Sequence, residues 1–327
     1  MAELCLVGEG MNNIMFNTRV SNLLGIKYPL LQGAMALIAG GKLVAAVSEA
    51  GAMGVIGTGS MDAQWLKEQI DIVRSLSSKP FAVNLMLTSP YINEVVELTI
   101  KEKIPAVTTG GGNPGPYMSA LKKAGIKVIP VVASLALAKR LERLGADALI
   151  AEGMESGGHI GEMTTMCLVP MLADVVDIPV IAAGGIADGR GLMAAMALGA
   201  EGVQMGTRFI CASECDVHQD YQQKVIMARD RATRVCGVKT GHPVRAVHNK
   251  FTRQYLEAEL SGNSKHFLEE LGRGRYPAAA RFGQIDEGSV LAGQIAGIVK
   301  KVQPAAEIVS DIISDAIKVK QRLEGTK

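Results

Sequence analysis

Ala148-Leu149-Ile150-Ala151-Glu152-Gly153-Met154-Glu155-Ser156-Gly157-Gly158-His159-Ile160-Gly161-Glu162 is the stretch on which the fold turns. Its first residues form a short apolar run, as in a strand buried on both faces. It then passes through four glycines with one histidine among them. Glycine reaches positive φ without strain and lets backbone approach a ligand closely. A glycine-rich loop with a titratable side chain, at the carboxyl end of a strand, is where a barrel enzyme places a bound group and a catalytic residue. A flexible loop with a surface histidine is the plainer alternative, and two later segments weigh against it.

Outward from this run, similar apolar segments recur. Strands are expected at Pro29–Ala34, Gly54–Gly57, Phe81–Leu85, Ala106–Thr109, Val128–Val132, Ala148–Glu152, Pro179–Ala183 and Gly202–Met205, eight in all. Between them Gln64–Leu76, Tyr117–Ala124, Ala136–Leu144 and Gly191–Leu198 carry apolar residues at helical spacing. Gly51, Gly125, Gly145 and Gly199 follow helical patterns directly, where a left-handed glycine closes the last turn. Helix, glycine stop and strand repeat as one β/α unit, and eight such units fit a closed parallel (β/α)8 TIM barrel. An open doubly wound sheet is the alternative.

After the eighth strand the pattern breaks. Residues 213–285 lean helical and polar, with no clear strand. Residues 221–281 hold twelve Lys and Arg against five Asp and Glu, a net +7 in a chain whose total is +2. The α/β chain is therefore divided into an N-terminal extension (1–10), a barrel (11–212), a small helical cap inserted after strand eight (213–287) and C-terminal helices that complete the barrel (288–327). The closing helices are expected at Gly288–Val302 and Ala306–Leu323. Met11 or Met15 is an alternative start. The basic cap reads either as a solvated surface or as a dock for an acidic partner.

Composition narrows the class. The 327 residues are 48% hydrophobic but only 4% aromatic, with 37 Gly and 16 Met. The core must be aliphatic, and few rings are available for stacking on nucleic-acid bases. The small net charge sets up no global field for DNA or membrane. Cys5, Cys167, Cys211, Cys215 and Cys236 are scattered without a C-x-x-C, which fits a reducing cytoplasm and no structural metal. Cys211 and Cys215 read as small buried side chains. No apolar run is long enough to cross a membrane, and no secretory signal is visible.

Two further segments carry chemistry. Strand seven ends in Ala183-Gly184-Gly185-Ile186-Ala187-Asp188-Gly189, and strand eight in Gln204-Met205-Gly206-Thr207-Arg208. Loops after strands seven and eight of such barrels commonly hold a phosphate. Gly184, Gly185 and Gly206 would present unshielded N–H groups, a short following helix would add its positive end, and Thr207 a hydroxyl. Tight turns are the alternative. Gln32-Gly33-Ala34-Met35 and Asn84-Leu85-Met86 end strands one and three, where an amide can hydrogen-bond the edge of a planar heterocycle. Glu152 either contacts a ligand hydroxyl or braces the Gly157–Gly158 turn. His159 is a candidate proton donor, with a structural histidine as the alternative. His242, Pro243 and Arg245 are cap residues within reach of substrate or phosphate. Gly111-Gly112-Asn113-Pro114-Gly115 either lines the mouth or is a plain connection.

These motifs, with Ala292-Gly293-Gln294-Ile295-Ala296-Gly297, resemble the FMN-dependent enoyl-[acyl-carrier-protein] reductases of bacterial type II fatty-acid synthesis, in the nitronate monooxygenase-like flavoprotein group. The likeness runs from about Phe16 to the C-terminus. Gly161-Glu162-Met163-Thr164-Thr165-Met166, Gly241-His242-Pro243-Val244-Arg245-Ala246 and Gly288-Ser289-Val290 look like the reductase branch. The resemblance implies an FMN at the barrel mouth, lined by Gly33, Ala34, Met35, Asn84, Glu152, Gly157, Gly158, Ala183, Gly184, Gly185, Gln204, Gly206 and Thr207, with His159 near the flavin ring. It implies hydride flow from NADH or NADPH through FMN to an enoyl thioester on acyl carrier protein. It also implies a homodimer and, in some members, a monovalent cation. The competing readings are a nitronate monooxygenase, with His159 as base, and a non-catalytic flavin- or nucleotide-binding barrel.

Overall fold

The computed structural model describes residues 16–325. The readings placed on residues 1–10, on Met11 and Met15 as starts, and on Cys5 lie outside the described residues. Nine strands follow in chain order: β1 (Leu30–Gln32), β2 (Val55–Gly57), β3 (Ala82–Met86), β4 (Ala106–Gly110), β5 (Lys127–Val132), β6 (Leu149–Glu152), β7 (Gly158–His159), β8 (Val180–Ala183) and β9 (Gly202–Met205). All but β7 pair in parallel, in the order β1-β9-β8-β6-β5-β4-β3-β2. A parallel bridge between Leu31 and Met53 closes β2 onto β1. The expected (β/α)8 barrel is the fold, and all eight expected strands are present within a residue or two of their limits.

Gln32 has a different place from the one its sequence position suggested. Its side chain is fully buried at the β1–β2 seam. Its Oε1 accepts from Val55 N at 3.1 Å, and its Nε2 donates to Gly33 O at 2.5 Å and Val55 O at 3.3 Å. The side chain supplies hydrogen bonds where the short β1–β2 ladder stops, because a buried backbone group left unpaired is costly. It is not available to a ligand.

The barrel interior is small and aliphatic. Leu31, Val55, Ala82, Ala106, Ile129, Ile150 and Ile181 fill it, and Val20 and Leu24 of the helix Arg19–Leu24 join the same cluster. That helix starts at a Thr18–Ser21 capping box and stops at Gly25 in the left-handed region. Gly51, Gly125, Gly145 and Gly199 all have φ between 77° and 95°, so the helix-stop reading is correct at each.

The cap has three helices: Lys250–Leu260 and Lys265–Gly272 share a small core of Cys236, Phe251, Tyr255 and Leu268, and Arg275–Phe282 buries Ala279 and Ala280 in the main core. It also contains strands where none was expected. β10 (Thr233–Cys236) and β11 (Val244–Val247) form an antiparallel hairpin, and β11 pairs with β7, with Val244 opposite His159. Arg234 and Arg245 break the apolar signal, and only the β-branched Thr233, Val235, Val244 and Val247 favour the strand. The helix Gln219–Ile226, placed with the cap by sequence, buries Tyr221 and Val225 in the main core instead.

The segment 288–302 is a second correction. Only the short 3₁₀ turn Gln294–Gly297 forms there. Leu291 bridges to Ala246, Val247 N donates to Val290 O at 2.8 Å, and Gln294 N donates to Glu155 O at 2.9 Å. The backbone is spent on tying the cap to the glycine loop, and Gly288, Gly293 and Gly297 disfavour a helix. The final helix, Ala305–Leu323, packs on Gly189–Ala197 and Gly41–Glu49 as expected of a barrel-closing helix.

Candidate active site

Parallel strands put all their carboxyl ends at one rim. The rim and cap enclose a cavity of about 770 Å³, within the range of roughly 300–1,000 Å³ usual for cofactor sites. Gly33, Ala34, Met35, Asn84, Glu152, Gly157, Gly158, His159, Ala183, Gly184, Gly185, Gln204, Gly206 and Thr207 all line it. The sequence motifs from β1, β3, β6, β8 and β9 therefore converge on a single space. Asn84 Nδ2 donates to Thr108 Oγ1 at 2.9 Å, which holds the amide at the wall. Gly111 lines the mouth, on the first of the two readings open for its turn.

The β6 loop is held by backbone and by charge. Gly153 N donates to Ala183 O at 2.9 Å, and Met154 N to Met163 O at 2.7 Å. The Glu155 carboxylate accepts from Thr165 N at 2.9 Å and from Thr165 Oγ1 at 3.0 Å, and that hydroxyl also lies 2.9 Å from Gly184 O. Arg245 is buried; its Nε donates to Met154 O at 3.1 Å, and its charge faces Glu155. Sequence reading missed Glu155 as a brace, since a lone acid inside a loop carries no pattern.

Glu152 stands at the end of β6. Burial pushes its carboxyl pKa up to about 7, and nearby Ser156 offsets a part of the shift. Ser156 Oγ nevertheless makes no hydrogen bond of good geometry among the described residues, so burial dominates. His159, on β7, is exposed on one side. Desolvation by its neighbours, and then the His242 imidazole, hold its pKa below the ordinary value. His242 lines the cavity from the cap, with Tyr276, whose hydroxyl bonds Ala36 O. Tyr276 had no sequence signal, because only the cap's position over the β1 loop brings it in.

The β8 and β9 loops form the opposite wall. Among the described residues, the amides of Gly185 and Gly206 donate to no protein acceptor. Thr207 Oγ1 accepts from Gly293 N at 2.9 Å, so its proton remains available to donate. The helix Gly189–Ala197 is different: its capping Asp188 already accepts from Arg190 N and Gly191 N and pairs with Arg190. Its positive end is occupied, so the free donors of this wall are the amides of Gly185 and Gly206 and the Thr207 hydroxyl. Unpaired amides, a free hydroxyl and an apolar wall of Met35, Ile186 and Met205 fit a planar group with an anionic tail. Among the described residues, no group of three or more His, Cys, Asp and Glu could hold a metal ion. Cys211 and Cys215 are buried, and burial pushes both thiols up to about 12.

Fold and cavity together define a (β/α)8 barrel with a cofactor-sized site at its carboxyl rim. A model of the family described as nitronate monooxygenase matches residues 17–99 and 91–315, and the chain belongs to that family. The probable nitronate monooxygenase of Staphylococcus saprophyticus is 32% identical over 94% of this chain and 99% of that protein. Among solved structures, FabK from Thermotoga maritima has 48% identity and a TM-score of 0.92, covering 94% of this chain and 99% of its own. A nitroalkane oxidase from Streptomyces ansochromogenes has 25% identity and a TM-score of 0.82, covering 94% and 100%. These matches bear out the likeness to FMN-dependent enoyl reductases within the nitronate monooxygenase-like group, and they imply a flavin cofactor. No described helix is long and apolar enough to cross a membrane.

Proposed function

We propose that this chain is an FMN-dependent enoyl-[acyl-carrier-protein] reductase, converting trans-2-enoyl to saturated acyl chains at the end of the fatty-acid elongation cycle. The observation that carries this reading is the 48% identity to FabK, an enoyl-[acyl-carrier-protein] reductase, over nearly the whole of both chains. When bound, FMN supplies the hydride chemistry, with NADH or NADPH as donor, that no side chain here can supply. Gly185, Gly206 and Thr207 hold its anionic tail, and Gly33, Ala34, Met35, Asn84 and Gln204 line its ring. His159, in its cationic form, is the proton source for the α-carbon; its lowered pKa makes that form scarcer but a stronger acid. Glu152, protonated below about pH 7, can donate a hydrogen bond without placing a charge beside the cofactor.

The basic cap docks the acidic acyl carrier protein, by steering that salt weakens. In this reading the enzyme is a cytoplasmic homodimer. A second reading, nitronate monooxygenase, is favoured by the curated relatives at 32–34% identity. A neutral His159 suits a base equally well.

Purified protein is mixed with NADH or NADPH and a short trans-2-enoyl thioester without oxygen. Rapid loss of the reduced nucleotide is expected. No loss, with turnover of an alkyl nitronate in air, would move the assignment to the second reading. A colourless protein that takes up no FMN would end both.

A further inference from the structure

The cavity holds a second imidazole whose position is as tightly determined as the first. β7 pairs antiparallel with β11, and Ile160 N donates to Pro243 O at 3.1 Å. That register brings His242, the residue before Pro243, alongside the strand that carries His159, and both side chains line one cavity. The turn before it is constrained too. His242 N donates to Gly237 O at 3.2 Å. Gly237 sits at φ 80°, and a Cβ there would lie 2.6 Å from His242 O.

We propose that His242 is a positioning residue for His159: the cap delivers a second imidazole to the cavity that holds the first, and a charge on one disfavours a charge on the other. Two cations in one partly desolvated cavity repel, which disfavours the state with both rings charged. Burial first, and His242 second, lower the pKa of His159. The other ionisable groups around the pair have their own engagements. Glu155 is bound by Thr165 and faces Arg245. Lys239 donates to Glu259 O. Tyr276 bonds Ala36 O, and Glu152 stands on β6 with its proton retained up to about pH 7. Among the described residues, neither imidazole hydrogen-bonds a carboxylate that would favour its cationic form. The inference concerns these two side chains and does not require the substrate to be known.

The test follows the ring C–H resonance of His159 by NMR, across its titration, in flavin-loaded protein; His159→Ala assigns the signal. His242→Gln removes the repelling charge and is expected to raise the His159 midpoint toward the ordinary value of about 6.5. His242→Lys makes that charge permanent and is expected to lower it. A loosened hairpin would not move the midpoint in opposite directions. An unmoved midpoint, or a shift of the same sign in both variants, overturns the proposal.

Discussion

A Cβ added at Gly157 would lie 2.6 Å from the backbone carbon of Ala292, whereas one added at Gly206 would find nothing nearer than Met35 Sδ at 3.8 Å. The β6 loop and the β9 loop are both built on glycine, but for different reasons. In the first, backbone passes against backbone: Gly153 abuts Thr165, and Gly157 abuts the 292–293 segment that ties down the cap. In the second, the missing side chain is space in the cavity. The Gly184-Gly185 pair divides between the two kinds. Gly184, at φ 90°, would bring a Cβ to 2.8 Å from Gly153 O, whereas the nearest neighbour at Gly185 is Glu155 Cβ at 3.4 Å. A glycine facing backbone speaks of packing, and one facing a cavity speaks of a ligand.

The β6 loop carries the proposed proton donor, His159, as well as the packing. His159→Ala is expected to lower turnover by about 10²–10⁴-fold. Flavin content and thermal midpoint should stay unchanged, since the ring bonds no described group. Absorbance per mole of protein and steady-state kinetics check this, and unaltered turnover would remove His159 from the chemistry. Gly157→Ala tests the packing half of the comparison. The overlap with Ala292 is expected to cost about 1–3 kcal/mol, read as a lower urea midpoint at unchanged slope. Wild-type stability would mean that the 292–293 segment yields easily and that the contact is incidental.

Gly206→Val breaks the comparison from the other side. The added side chain enters the cavity, so flavin affinity is expected to fall about 10- to 100-fold, or about 1.4–2.8 kcal/mol. Stability of the flavin-free protein should change by less than about 0.5 kcal/mol, as for substitutions that touch no packed neighbour. Normal flavin binding in this variant would move the anionic tail away from the β9 loop. Gly184→Val is a poorer probe, because it disturbs the β6 loop at the same time.

The periodic part of this molecule was legible because its signals are local. Buried parallel strands are short apolar runs, and left-handed glycines end the helices, so β1–β6, β8 and β9 could be placed from residue order alone. The convergence of the fourteen site residues on one cavity followed from the rule that strand ends share a rim. What stayed hidden was non-local. β10 and β11 have too little apolar character to stand alone, and they form because β7 gives β11 a partner. The segment 288–302 has apolar residues that suggest an amphipathic helix, but its three glycines weaken one and its backbone meets partners in the hairpin and in Glu155. Gln32 was misread because nothing in its own neighbourhood announces that the β1–β2 seam lacks a full ladder. Tyr276 reaches the site only once the cap is folded over it, and Arg245, expected within reach of substrate or phosphate, is buried against Met154 O instead.

Glu152 yields the smallest effect, and it separates a braced carboxyl from a solvated one. Its pKa is raised from 4.5 to about 7, so the folded protein keeps a proton that the unfolded chain releases. The stability this adds is complete below about pH 4.5 and disappears as the pH rises through about 7. Glu152→Gln keeps the shape and a neutral donor but does not titrate. Flavin-free wild type should therefore lose stability relative to the variant between about pH 5 and pH 8, by something on the order of 1–2 kcal/mol. That is less than the whole shift would give, because the residue is open to the cavity on one side. Denaturant melts of both proteins at several pH values measure the difference. If it is flat with pH, the carboxyl ionises as freely in the folded protein as in the unfolded chain, and Glu152 is neither desolvated nor a neutral donor at the cofactor wall.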